Sequence, residues 1–187
     1  QFEHGPDITT TLRAWPAEQV AKVLVTYRAE HAALQAAQEQ ALAALYRACV
    51  ATGHELLVEV IPPPESGSGN VCEAMRRYYA AGVRPDWWKL PPTRSAQGWQ
   101  DAGDVVREHD AHCRGMLVLG QDAGEEQLQQ AFRAAAGEPL VRGFAVGRSI
   151  FWKPAEEWFS GRMSDRQVVD AVAHNYTRIA GLWQRRS

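Results

Sequence analysis

Short apolar runs alternate with longer helical stretches along this chain. The strand-like runs are rich in β-branched residues, and the stretches between them place apolar residues at helical spacing. Strands are predicted at residues 20–27, 55–61, 85–90, 115–120 and 141–146, and helices at 31–52, 71–81, 99–109, 125–136 and 164–183. A short helix over Ile8–Leu12 is predicted ahead of the first strand, with Asp7 as its N-cap. A strand followed by a helix, repeated five times, predicts a parallel sheet with helical crossovers.

Two α/β architectures fit this alternation, the doubly wound sheet and the (β/α)8 TIM barrel. Dinucleotide-binding doubly wound folds typically have the motif Gly-x-Gly-x-x-Gly directly after an early strand. In this chain Gly67 and Gly69 follow a proline run, and no third glycine lies at the required spacing. The barrel is therefore favoured. The proline- and glycine-rich segment 62–70 is interpreted as an active-site loop rather than a linker, because the alternation resumes directly after it. Residues 1–187 are accordingly predicted to form one domain.

Composition narrows the function classes. The 187 residues are 45% hydrophobic with a net charge of −2, which indicates a globular protein and gives no electrostatic case for nucleic-acid binding. Cys49, Cys72 and Cys113 are far apart, which favours buried free thiols over disulfides or a zinc site. The histidines show no metal-ligand spacing, and no segment looks like a membrane span or a signal peptide. We expect a soluble cytoplasmic protein with no cofactor and no metal.

Lysine is rare in this chain, and that makes Lys89 notable. Of 20 Lys and Arg residues only Lys22, Lys89 and Lys153 are lysines. Lys89 follows two tryptophans in an apolar strand that ends at a proline pair. Only lysine can form an imine, because arginine stays charged, so a lysine inside such a strand suggests a reactive amine.

Five strand ends carry residues suited to one reaction. In a barrel the C-terminal ends of the strands meet at one mouth, where the chemistry takes place. The candidates at or near these ends are Lys22, Glu59, Lys89, Gly120 and the pair Gly147-Arg148. Lys89 would be the nucleophile toward a carbonyl, since a lysine crowded by a second cation such as Lys22 loses its proton more readily. Glu59 would position a lysine or transfer protons.

The end of the last strand suits a phosphate group. Gly147 and Arg148 precede a turn into Pro154 and a short helix, and Gly120 ends the strand before. Exposed backbone N–H groups with an arginine make the usual phosphate cradle of a barrel. We therefore predict phosphate binding at Gly120, Gly147 and Arg148, with a phosphorylated sugar as the ligand.

Structural alternatives stay open for each residue. Lys89 could form an ion pair with Asp86, Lys22 and Glu59 could form a buried structural pair, and Arg148 could be a surface residue of a turn. The tryptophans Trp87 and Trp88 are expected in the core or the barrel wall.

Four segments carry a resemblance to a known family. They are Glu-Leu-Leu-Val-Glu-Val-Ile (55–61), Gly-Val-Arg-Pro-Asp-Trp-Trp-Lys-Leu (82–90), Arg-Gly-Met-Leu-Val-Leu-Gly (114–120) and Gly-Phe-Ala-Val-Gly-Arg-Ser-Ile-Phe (143–151). They resemble the aldolase-like domain fused C-terminal to 5-dehydro-2-deoxygluconokinase of bacterial myo-inositol catabolism, and more distantly the class I tagatose-bisphosphate aldolases. The resemblance implies that Lys89 forms the imine, that Lys22 and Glu59 are its polar partners, and that Arg148 binds phosphate.

The implied reaction is retro-aldol cleavage of 6-phospho-5-dehydro-2-deoxygluconate to dihydroxyacetone phosphate and malonate semialdehyde.

The resemblance begins near the family's fourth strand, so the chain is expected to hold about the last five βα units of the barrel. Five strands cannot close an eight-stranded barrel. An N-terminal barrel segment, as part of a longer polypeptide with a fused sugar kinase or from a second chain, is therefore the expected partner, and a homo-oligomer stays open. The leading alternative function is a non-catalytic sugar-phosphate-binding module that regulates or stabilises a fused kinase. A third is another imine-forming or isomerising barrel enzyme that acts on a different sugar phosphate.

Overall fold

The computed structural model describes residues 7–28, 30–62, 68–93, 95–121 and 123–187. Its strands are β1 (Ala21–Thr26), β2 (Leu56–Ile61), β3 (Trp87–Leu90), β4 (Gly115–Leu119) and β5 (Val141–Ala145). Its helices are α1 (Ile8–Arg13), α2 (Ala32–Thr52), α3 (Ser68–Ala80), α4 (Ala96–His109), α5 (Glu125–Ala135), α6 (Arg148–Phe159) and α7 (Asp165–Gln184). The strands form one parallel five-stranded sheet in the order β1-β2-β3-β4-β5. The predicted βα alternation and partial-barrel fold class are confirmed.

Several helix ends follow the predicted signals. The Asp7 carboxylate accepts a hydrogen bond from the Thr10 backbone N–H at the start of α1. Ser164 caps α7 and forms a reciprocal capping box with Gln167. Helix α2 ends at Gly53, whose φ of 75° lies in the left-handed region that glycine adopts without strain. Local side-chain chemistry therefore accounts for these boundaries.

Two local predictions are wrong. The helical spacing of apolar residues at 31–52 starts with Leu34 and predicts that it is buried, but Leu34 is 43% exposed, whereas its neighbour Gln35 is buried. The Gln35 side-chain NH2 group donates to the Arg28 backbone carbonyl, which gives this buried donor a partner. The loop predicted at 62–70 is shorter, because Ser68–Asn70 already belongs to α3, where polar residues suit a first turn whose N–H groups have no helical acceptor. Residues 63–67 of that loop lie outside the described part of the chain.

The chain divides into two compact units. The first comprises residues 1–90 and 101–116, and the second comprises residues 91–100 and 117–187. The expectation of a single domain over 1–187 stays a prediction.

In the first unit, one face of β1 to β3 is packed and the other carries polar side chains. The packed face includes Val25, Val58 and Trp88, which are at most 4% exposed. Trp88 stacks on Tyr78 and donates its indole N–H to the Tyr79 hydroxyl over 2.8 Å, which confirms its place in the core. Because side chains alternate along a strand, residues next to these positions must point to the opposite face.

The predictions from composition about the cysteines and about membrane-spanning segments can also be compared with the structure. Cys49 and Cys72 are buried and Cys113 is half-buried, and all three are free thiols, as predicted. Burial raises the pKa of Cys49 to about 11 and that of Cys113 to about 12. These thiols are therefore unreactive at neutral pH. Among the described helices, none combines the length and the apolar character that crossing a membrane would require.

In the second unit, α6 differs from the predicted turn and short helix. It begins directly at Arg148, runs for 12 residues and contains Pro154 in its interior. Proline has no N–H, so the Ile150 carbonyl one turn earlier loses its helical donor. The Asn175 side chain of α7 donates to that carbonyl over 2.8 Å, and this bond satisfies the interrupted turn. A contact from a distant helix thus makes a proline tolerable where the sequence alone predicts an end.

Replacing Asn175 by alanine should therefore destabilise the protein by about 1–2 kcal/mol, because it leaves the buried Ile150 carbonyl without a donor. Urea denaturation of the wild type and of Asn175→Ala measures this difference in the free energy of unfolding. In a Pro154→Ala background residue 154 has an N–H for that carbonyl, and the cost of Asn175→Ala should fall close to zero. An equal cost in both backgrounds would contradict this role of Asn175.

Candidate functional site

The candidate catalytic residues lie on the polar face of the first three strands. In the parallel register Glu59 of β2 lies opposite Lys89 of β3, and Lys22 of β1 lies opposite Leu57, two residues before Glu59. Side chains two residues apart in a strand point to the same face. Lys22, Glu59 and Lys89 therefore share one face of the sheet, with β2 in the middle.

One carboxylate oxygen joins the three side chains. Glu59 Oε2 accepts a hydrogen bond from Lys89 Nζ at 3.0 Å and another from Lys22 Nζ at 3.2 Å. The Glu59 side chain is only 6% exposed, the Lys89 side chain 16% and the Lys22 side chain 51%. Lys89 is thus the more desolvated of the two amines, and Lys22 is the one open to solvent.

This arrangement decides between the structural alternatives for Lys89. The expected alternative partner, Asp86, instead accepts from the Leu56 backbone N–H at 2.9 Å and lies 3.7 Å from the Arg114 guanidinium. The alternative in which Lys89 pairs with Asp86 is therefore wrong. The Lys22–Glu59 pair does form, but it is part of a three-membered cluster.

The position of Lys22 along its strand differs from the prediction. Lys22 is the second residue of β1, which runs from Ala21 to Thr26, so it lies near the start of the strand and not near its C-terminal end. Lysine has a long, flexible side chain, and its ammonium reaches the level of Glu59 from two residues below. Burial patterns do not reveal the level at which such a side chain ends.

A second charged cluster of the first unit lies at the beginning of the strands. Glu55, just before β2, accepts from the Trp87 indole N–H at 2.7 Å and pairs with Arg114 at 3.0 Å. In barrels the end of the sheet where strands begin contributes to stability and the opposite end to chemistry. We interpret these contacts as structural.

The predicted phosphate-binding residues all lie in the second unit. A Cβ on Gly120 would come within 3.0 Å of a Val146 methyl carbon, so the end of β4 packs closely on the residue before Gly147. Gly147 is the N-cap of α6, and Arg148 is its first residue. The Ser149 hydroxyl donates to the Ala123 carbonyl over 3.0 Å. The structure therefore brings the segment after β4 and the turn after β5 together within this unit.

A groove on α6 and α7 is rich in cations. Its volume is about 630 Å³, and it is lined by Arg148, Ser149, Trp152, Lys153, Pro154, Asn175 and Arg178. Glu125 forms an ion pair with Arg178, and Arg148 and Lys153 are the other cations of the lining. This charge favours an anionic group near the start of α6.

Sequence reasoning identified the lysine and glutamate positions but missed Ser149 and the α7 residues of the groove. Serine is common in turns, and Arg178, the α7 cation of the groove, lies 30 residues beyond Arg148, so no local spacing connects the two arginines. Among the described residues, no group of three His, Cys, Asp or Glu side chains is arranged to hold a metal ion.

Solved structures with a similar fold include aldolases. A fructose-bisphosphate aldolase from Plasmodium falciparum, in complex with TRAP and an inhibitor, superposes with a TM-score of 0.65 at 10% identity over 92% of this chain and 59% of its own. The protein Cgl0159 from Corynebacterium glutamicum gives a TM-score of 0.54 at 21% identity over 83% of this chain and 50% of its own. At these identities the likeness shows the fold, and this chain spans about half to three fifths of those structures.

Among the curated proteins, none matches this chain significantly. One protein family, by contrast, matches it over residues 1–187. The chain belongs to this family, which is described as "Uncharacterized protein conserved in bacteria (DUF2090)".

Proposed function

We propose that this chain is part of a class I, Schiff-base aldolase that cleaves a phosphorylated keto sugar acid. The single observation that carries the proposal is the contact of one buried Glu59 oxygen with two lysine amines, one of them largely desolvated. A purely structural role needs one lysine to neutralise a carboxylate, whereas imine chemistry uses an amine, a neighbouring cation and a proton carrier together. The aldolase-like fold supports the same reaction class.

Each residue has a defined step in the proposed reaction. The neutral Lys89 amine attacks the substrate ketone, and loss of water from the carbinolamine gives a protonated imine. Glu59, 3.0 Å from Lys89 Nζ, transfers the protons of these steps. The Lys22 ammonium contacts the same oxygen and holds the Glu59 carboxylate in place beside Lys89.

Carbon–carbon cleavage then uses the imine as an electron sink. A base removes the proton of the hydroxyl group on the carbon β to the imine, the bond between the α and β carbons breaks, and an aldehyde leaves. The bonding electrons pass to the imine and give an enamine, which takes up a proton at carbon. Hydrolysis of the resulting imine releases the ketone product and the free lysine. For 6-phospho-5-dehydro-2-deoxygluconate, the substrate implied by the resemblance, the products are malonate semialdehyde and dihydroxyacetone phosphate.

We assign the phosphate group to Gly120, Gly147 and Arg148. Gly147 begins α6, where backbone N–H groups lack helical acceptors, and Arg148 adds a guanidinium at the same helix start. The close packing of Gly120 on Val146 supports the conformation of the turn that presents these groups. No cofactor is needed for the proposed steps.

The proposal also covers the pathway, the cellular compartment and the partner of this chain. It places the enzyme in bacterial inositol catabolism in the cytoplasm, with an N-terminal barrel segment or a fused sugar kinase as its partner. What supports this is the resemblance of the motifs at residues 82–90 and 143–151.

A second candidate is a non-catalytic module that binds a sugar phosphate and regulates or stabilises a fused kinase. It is favoured by the fact that Glu59 hydrogen-bonds both lysines, since such a cluster can also be a buried structural ion network. In that case the amine of Lys89 would have no chemical task, and another cation could replace it.

Lys89→Arg separates the two candidates. Arginine keeps the positive charge beside Glu59 but cannot form an imine, so we expect turnover to fall by at least about a thousandfold. The measurement is dihydroxyacetone phosphate release from 6-phospho-5-dehydro-2-deoxygluconate by the longest polypeptide that contains this chain. Arg47→Lys, which exchanges the same two residue types at an exposed position of α2, is the matched control and should keep wild-type activity.

Wild-type activity in Lys89→Arg would contradict the imine mechanism. Absence of turnover in the wild type, combined with phosphate-dependent binding of the same sugar acid, would favour the binding module instead.

Gly120→Ala tests the assignment of the phosphate group. The added methyl would meet Val146 side-chain atoms at 3.0 and 3.1 Å and its Cα at 3.3 Å, and so displace the turn before Gly147. We expect KM for the phosphorylated substrate to rise roughly tenfold with a smaller change in kcat. Gly137→Ala, where no atom lies within 4 Å of the new methyl, is the control. An unchanged KM in Gly120→Ala would argue against a phosphate site at this turn.

A further inference from the structure

Helix α6 has more apolar surface around its circumference than it buries against the rest of the unit. Ile150 and Pro154 are the buried residues of the helix. At 100° per residue, a second group of apolar residues continues around the helix beyond them. This group is the aromatic face, and it consists of Phe151, Trp152, Ala155, Trp158 and Phe159.

The rings of the aromatic face are exposed. The exposed fractions are 42% for Phe151, 54% for Trp152, 39% for Trp158 and 81% for Phe159. At the roughly 150–250 Å² of an aromatic side chain, this amounts to on the order of 400 Å² of apolar surface. Contiguous patches of this size on soluble proteins often mark interaction sites.

The face is also held in a fixed shape. The Trp158 indole N–H donates to the Asp165 carboxylate over 2.8 Å, and the Trp158 and Phe159 rings lie 4.8 Å apart between centroids. Beyond the helix, Arg162 donates to the Glu157 carboxylate with an Nη2–Oε1 distance of 3.0 Å and so ties the connection to α7 back onto α6. A preorganised aromatic surface binds a partner at a lower entropic cost than a mobile one.

The order of residues makes this face complementary to itself. Residues 151–159 read Phe-Trp-Lys-Pro-Ala-Glu-Glu-Trp-Phe, with Ala155 at the centre. Phe151 and Trp158 form one column along the helix, and Trp152 and Phe159 form a second, because residues seven apart nearly coincide in direction. In a second copy packed antiparallel, the order of the rings in each column is reversed. Phe151 then faces Trp158 of the second copy, and Phe159 faces its Trp152. The small Ala155 lies between the columns and lets the two helices approach.

We propose that the aromatic face of α6 binds a second copy of this chain in an antiparallel, two-fold symmetric dimer. A two-fold interface uses the same patch on both copies, which requires the self-complementarity seen here. Within residues 151–159 the charged residues Lys153, Glu156 and Glu157 lie outside the face at 100° per residue, so two copies bring no like charges together around Ala155, and Arg148 lies in line with Ala155 at the N-terminal end of the face. With an ordinary share of polar rim, about 400 Å² of apolar area corresponds to about 700 Å² per copy, close to the roughly 800 Å² of a standard stable interface.

The symmetry gives a sharp test at Ala155. In the proposed dimer this residue lies at the two-fold axis and faces the partner's Ala155. Ala155→Glu and Ala155→Lys each place two like charges together, so both variants should be monomeric where the wild type is dimeric. A 1:1 mixture of the two variants places Glu opposite Lys and should restore a heterodimer. Sedimentation velocity of the whole chain over about 1–100 μM measures all four samples.

The controls separate loss of association from loss of folding. Ala37→Glu on an exposed position of α2 introduces the same charge and should leave the dimer intact. Thermal unfolding by circular dichroism should show that both Ala155 variants keep a cooperative transition, and recovery in the mixture itself requires folded variants. A monomeric wild type at 100 μM would overturn the proposal. Dimers that persist in both Ala155 variants, or a mixture that associates no more than either variant alone, would do the same.

Discussion

The site depends on the burial of a single carboxylate. Glu59 is the central polar residue of three parallel strands and is almost fully shielded from water. A buried carboxylate is strongly destabilising unless hydrogen bonds and opposite charge compensate it. Because β2 has one neighbouring strand on each side, compensation comes from one lysine on each of them, Lys22 and Lys89. The strand register and the chemistry of the site are thus linked through one side chain.

Most of the architecture follows from the sequence because its signals are local. β-branched runs, helical spacing, the Asp7 and Ser164 caps and the glycine stop at Gly53 each involve residues close along the chain. The rarity of lysine led to Lys89 and Lys22, and the apolar context led to Glu59. These residues were predicted to meet because they lie at or near strand ends, and in the structure they meet because they also share one face of the sheet.

What the sequence did not reveal depends on contacts between distant segments. Gln35 is buried in place of Leu34 because its amide reaches a backbone carbonyl seven residues earlier. Helix α6 continues through Pro154 because Asn175, 21 residues further along, donates to the carbonyl that the proline leaves without a donor. The prediction that Lys22 lies near the C-terminal end of its strand was wrong for a related reason. The backbone position of a lysine does not determine where its ammonium group lies. The periodic pattern of apolar residues does not show how far a long polar side chain extends from its backbone position.

We propose that Lys89, and not Lys22, carries the reactive amine. Treatment with dihydroxyacetone phosphate and sodium borohydride would reduce an imine to a stable secondary amine, and peptide mapping by mass spectrometry would locate it. We expect one adduct per chain, on the peptide that contains Lys89, and none when borohydride is omitted. An adduct on Lys22 alone, or no adduct in a preparation that cleaves the substrate, would contradict it.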